Sequence, residues 1–201
     1  MKNQNRYFRP MIVCNSIGGV ASTTIFDLIN EKFPYSSPNR FSPGTMHWKH
    51  SLYPPQFSFI SKGIFIIGNP ELAILSIYRR NLDVIHGKNK GLPVSKFSIT
   101  EYIDNGFDVY RTLEHMQNWN ESNVPYPILR VKQECMFENR EAILSFLEID
   151  EDPEKVFPQK KNRRSSLSMI EDLGDGYLEK YQTILGPAVE YFNSLQDIKI
   201  A

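Results

Sequence analysis

MIVCNSIGGVASTTIFDLI, residues 11–29, decides how the chain is read. Residues 11–14 are a continuous apolar run, Gly18-Gly19 form a turn, and Ser22, Thr23 and Thr24 open a helix expected over 22–33 with Ile25, Leu28 and Ile29 on one face. A strand that passes through a glycine turn into a helix leaves free N–H groups at the helix start. With the helix dipole behind them, those groups favour an anion without any basic side chain. Ser16, Ser22, Thr23 and Thr24 add hydroxyl donors. A nucleotide kinase or ATPase needs a lysine in this loop to reach the terminal phosphates, and residues 18–24 contain none. The loop therefore suits a phosphate and poorly suits triphosphate hydrolysis. A plain strand-to-helix turn with Ser22 as N-cap is the open alternative.

Two more apolar runs, 63–67 and 127–131, are continuous rather than alternating, which is the pattern of strands buried on both faces of a parallel sheet. Helical patterns follow over 70–85, entered through Pro70, and over 139–148. Strand then helix, repeated, predicts an α/β protein: a three-layer α/β/α arrangement around a central parallel sheet. Between these units, 34–44 and 86–93 read as loops and 47–50 as a short strand. Residues 99–119 read as two helices broken near Asn105-Gly106, and 176–195 as a helix interrupted near Gly186-Pro187. The expected organisation is one domain over 1–201, with 97–122 and 165–195 as helical elaborations.

The chain has 201 residues, enough for a full core. Lys plus Arg and Asp plus Glu are equal at 23 each, so no global field draws nucleic acid or a membrane surface, and an anion site has to come from local clustering. Lys160, Lys161, Arg163 and Arg164 form one such cluster. Two cysteines make neither a disulfide framework nor a metal set, so no metal is expected and a reducing, cytoplasmic setting is the default. No signal peptide or run of about 20 apolar residues is visible.

The order of these segments resembles the sulfotransferase family, which moves a sulfuryl group from 3′-phosphoadenosine 5′-phosphosulfate to a hydroxyl or amine. Val20-Ala21-Ser22-Thr23-Thr24 is similar to the family's Pro-Lys-Ser-Gly-Thr-Thr loop, with Ser22, Thr23 and Thr24 matching and the lysine replaced. Trp48-Lys49-His50-Ser51-Leu52-Tyr53-Pro54 resembles its lysine-histidine stretch. Gly68-Asn69-Pro70-Glu71 through Ser76-Ile77-Tyr78 resembles the strand-to-helix signature for the 3′-phosphate, with Gly68 where the family has arginine. Residues 128–131 and 142–147 look like the family's fourth strand and following helix, and 160–165 occupies the place of a late basic loop.

The resemblance implies a P-loop-like fold of the nucleoside triphosphate hydrolase kind, with no metal and adenosine 3′,5′-bisphosphate as product. It implies that Gly19, Ser22, Thr23 and Thr24 hold the 5′-phosphate and Ser76 the 3′-phosphate. Arg79, Arg80, Arg163 and Arg164 would supply the missing cations. His50 would be the general base and Lys49 the electrostatic stabiliser, with His47 as a competing base. The implied partner is a small-molecule or carbohydrate acceptor. An anion- or nucleotide-binding protein of the same fold without turnover is the second expectation.

Overall fold

The computed structural model describes residues 11–18, 22–32, 50–91, 97–157 and 167–200. In chain order its elements are β1 (Met11–Ser16), α1 (Ser22–Lys32), β2 (Ile60–Ile67), α2 (Pro70–Arg79), α3 (Asp83–Asn89), α4 (Ile99–Asp104), α5 (Thr112–Asn120) and β3 (Ile128–Lys132). They are followed by α6 (Arg140–Leu147), α7 (Pro153–Val156), α8 (Ser168–Glu171), α9 (Tyr177–Ser194) and β4 (Ile198–Ile200). The three apolar runs become β1, β2 and β3, and all three pair in parallel. The register aligns Val13, Gly63 and Ile128 in one row and Asn15, Phe65 and Arg130 in the next on the same face. The chain is thus an α/β protein with a four-stranded, mostly parallel sheet in the order β1-β2-β3-β4.

β4 lies antiparallel to β3, with Val131 opposite Ile198, and nothing in the sequence pattern announced it. Three alternating residues after a long helix are too short to register as a strand, and their pairing partner supplies the missing information.

The single helix expected over 70–85 is two helices. α2 begins as read: Asn69 Oδ1 accepts from Leu72 N at 3.1 Å and Pro70 occupies the first turn. It ends because Asn81 takes a left-handed conformation (φ 52°), which asparagine tolerates better than most side chains. α3 then covers part of the segment expected to be a loop over 86–93. The short strand expected over 47–50 lies outside the described residues except for His50, which is in a turn.

The break expected at Gly186-Pro187 is absent, since α9 runs through Pro187. Tyr181, Leu185, Ala188 and Phe192 are buried on both sides of it, and that shared apolar face outweighs one lost backbone hydrogen bond. The two helices expected over 99–119 are present as α4 and α5. Between them, Asp108 ties the turn: its carboxylate accepts from the Tyr110 and Thr112 amides and from the Tyr102 hydroxyl.

One apolar core surrounds the sheet. A second, built from Ile74, Leu75, Ile77, Tyr102, Ile103, Tyr110, Ile170, Tyr181 and Leu185, fills the space between α2, α4 and α9. Among the described residues no helix is long and apolar enough to cross a membrane.

Candidate functional site

The carboxyl end of β1 is where buried polar side chains gather. His50 is 7% exposed, and its Nδ1 lies 3.1 Å from the Ser16 carbonyl and 3.2 Å from Ser16 Oγ. A carbonyl only accepts, so this contact assigns the proton to Nδ1 and leaves the Nε2 lone pair as the basic position. The turn that carries His50 is strapped to its surroundings. Asn15 Nδ2 and Trp119 Nε1 both donate to Ser51 O, at 3.1 and 2.9 Å, and Tyr53 OH donates to Glu114 Oε1 at 3.0 Å.

His115, from α5, lies next to the strand end as well. Because the Asn15 amide nitrogen donates to Ser51, its Oδ1 is the acceptor, and His115 Nε2 donates to it at 2.9 Å. Complete burial, helped by the nearby positive charge of Lys90 and the His50 and His86 rings, holds the His115 pKa well below the ordinary imidazole value, so this ring is neutral at neutral pH.

His86, from α3, completes the set. Its ring packs on His50 with centroids 4.0 Å apart and planes tilted by 41°. It also abuts Gly18, where φ is +96° and an added Cβ would come within 2.6 Å of the imidazole. Glycine is needed there for both reasons. Ile77 of α2 approaches the same point, at 3.1 Å from that Cβ position, so α2 also lies against the glycine turn.

Behind His86 lies Lys90, 5% exposed, whose Nζ donates to Tyr110 O at 2.7 Å. Burial pushes its ammonium down to about 8, with Asp108 opposing and Arg111 adding to the effect. Three of the four histidines in the sequence thus converge on four consecutive residues, 15–18, with a buried lysine beside them. Among the described residues no group of three His, Cys, Asp or Glu side chains is arranged to hold a metal ion.

No family model, curated protein or solved structure matches the chain. The site therefore has to be read from its own geometry.

Of the residues that the sequence singled out, His50 lies within this cluster. Ser22 begins α1, and Thr23 and Thr24 are in its first turn, exposed and half-buried respectively. Ser76 is buried on the inner side of α2, one residue before Ile77, while Arg79 and Arg80 are exposed at the end of that helix. Gly19, His47, Lys49, Arg163 and Arg164 lie outside the described residues. Sequence reasoning missed His86, Lys90 and His115. The signal for the first two was present as the spacing Asp83, His86, Lys90, which puts ionisable groups on one helical face.

Proposed function

We propose that this chain binds 3′-phosphoadenosine 5′-phosphosulfate and transfers its sulfuryl group to a hydroxyl or amine acceptor, in a three-layer α/β/α fold of the P-loop-like kind. The observation that carries the reading is His50: a histidine anchored through Nδ1 to Ser16, at the carboxyl end of a parallel strand and beside the glycine turn at Gly18. Open parallel sheets take their ligands at that end. An anionic nucleotide suits this end of the sheet, because α1 starts four residues after Gly18, and His86, which lies against that glycine, is followed at i+4 by the buried ammonium of Lys90.

In this reading Gly19, Ser22, Thr23 and Thr24 hold the 5′-phosphate and Ser76 faces the 3′-phosphate, with Arg163 and Arg164 available from the late basic loop. When bound, the donor supplies a sulfur–oxygen bond that breaks as the acceptor oxygen bonds to sulfur, the electron pair leaving with the 5′-phosphate. His50 Nε2 takes the acceptor's proton, and Lys49 lies next to it in sequence to stabilise the leaving charge. Anchoring of Nδ1 keeps the imidazole from rotating away from its task.

The second reading, nucleotide binding without turnover, is favoured by Ala21 and Gly68, which stand where the resemblance leads one to expect lysine and arginine. The experiment separates them. Titration with adenosine 3′,5′-bisphosphate should raise the melting temperature more than ATP does, and labelled donor should pass sulfate to some member of a panel of hydroxylated acceptors. His50→Ala should lower that rate ~10²–10⁴-fold with bisphosphate affinity nearly unchanged. Bisphosphate binding with no transfer to any acceptor supports the second reading; preference for ATP rejects both.

A further inference from the structure

α3 is built inside out. Its inward residues are Asp83, His86 and Gly87, followed by Lys90 at its cap, while Ile85 stands 52% exposed. A surface helix ordinarily buries its apolar side chains and solvates its charges, because burying an ammonium without a partner is costly. Lys90 is a buried ammonium whose partners are neutral: the Tyr110 carbonyl and the Tyr110 ring, whose centroid lies 5.9 Å from Nζ. Among the described residues its one hydrogen bond goes to the Tyr110 carbonyl and it forms no ion pair. The acids around it are engaged or distant. Asp108 accepts from Tyr102, Tyr110 and Thr112, and Asp83 lies two helical turns away, roughly 10 Å along the axis. The hydroxyl of Thr112, two residues from the carbonyl that Lys90 touches, is also buried, with no hydrogen-bond partner among the described residues. The face leads directly to the strand end: His86 touches Gly18 and His50, and Lys90 follows it at the i+4 spacing of helical neighbours.

We propose that Lys90, with the His86 ring beside it, forms the wall of the oxyanion site at the β1 turn, the ammonium supplying the positive charge that Ala21 does not and receiving the 5′ oxygens of the bound nucleotide. This rests on the reading of the site given above. A two-donor ammonium, a ring beside the glycine and a free hydroxyl suit a tetrahedral oxyanion, and the anion provides the counter-charge that the fold withholds from Lys90.

The test uses the full chain and Lys90→Met, which keeps the length of the side chain and removes the charge. Adenosine 3′,5′-bisphosphate should bind Lys90→Met about 10–100-fold more weakly, while adenosine 3′-monophosphate, lacking the 5′ group, should be unaffected within about twofold. The melting temperature of the free variant should be equal to or above that of wild type, because a costly burial has been removed. Bisphosphate affinity within about twofold of wild type overturns the proposal. So does a lowered melting temperature with both nucleotides weakened alike, which would make Lys90 structural.

If Lys90→Met does not fold, proton uptake decides. The titratable and charged groups near Lys90 are His86 at i−4 on its own helix, Asp108, Tyr110 and Arg111 from the turn before α5, and His115 from α5. At pH 8.5 an anion docking on an ammonium that titrates near 8 draws a proton into the complex, seen by calorimetry in buffers of different ionisation enthalpy. No uptake overturns the proposal. If wild type binds neither nucleotide, the reading of the site as a nucleotide site fails, and inorganic sulfate decides the wall: a sulfate-induced rise in melting temperature lost in Lys90→Met supports it, and no rise in wild type overturns it.

Discussion

α2 and α3 are consecutive helices separated by one short turn, and they follow opposite rules. α2 buries Ala73, Ile74, Leu75 and Ile77 around a single inward serine, and is entered through a capped Asn-Pro. Its stability comes from packing, at about 1.5–3 kcal/mol for each fully buried large aliphatic side chain. α3 turns Asp83, His86 and Lys90 inward and Ile85 outward, so what it buries is polar and charged rather than apolar. Where two adjacent segments differ in this way, the one that violates the folding rule is where a functional or strained site is to be looked for.

The contrast can be broken most sharply from the α2 side. Ile74→Ala opens a cavity in the second core and should cost about 2–5 kcal/mol, measured by urea unfolding. Should this substitution cost less than 1 kcal/mol, α2 is not the packed member of the pair.

Lys90 gives the next largest effect, and its sign depends on pH. The unfolded ammonium titrates near 10.5 and the folded one near 8, so below pH 8 both are protonated and the folded state carries the burial cost, roughly 3 kcal/mol. Between pH 8 and 10.5 the unfolded chain holds more protons, and wild type gains stability on this account as pH rises. The stability of Lys90→Met relative to wild type should therefore be most favourable below pH 8 and fall by up to about 3 kcal/mol by pH 10.5. Parallel pH profiles would remove Lys90 from the comparison.

Gly18→Ala comes third. A positive φ and a Cβ placed 2.6 Å from His86 should together cost about 1–3 kcal/mol and shift the His86 ring signals in NMR spectra. An unshifted His86 would mean that the ring does not rest on the turn. Smallest is Tyr53→Phe, which removes an exposed hydroxyl bond to Glu114 and should change stability by no more than about 0.5 kcal/mol, sharpening the comparison by showing that the strap is secured from Asn15 and Trp119 instead.

How much of this was legible follows from the same physics. β1, β2 and β3 declared themselves because strands buried on both faces must be apolar without interruption, and the entry to α2 because Asn-Pro has few other uses. Asn81 hid the break after α2, since asparagine in the left-handed region looks in sequence like any polar helix residue. α9 passed through Pro187 because its apolar face continued on both sides, a tertiary fact that local propensity does not contain. In the site, His50 was legible through its neighbours in sequence. His86, Lys90 and His115 were not, because they arrive from α3 and α5 and acquire meaning only when those helices meet β1.

The antiparallel partner of β3 has a consequence in time. The edge of β3 is covered by residues 198–200, with Lys132 N donating to Asp197 O at 2.8 Å beside them. On the ribosome, at roughly 5–20 residues per second, the parallel strands are available on the order of several seconds before that cover is made. During that interval a nascent chain presents an open, apolar strand edge to its neighbours, so a mutation that delays or weakens β4 would be felt first as poor yield from crowded translation.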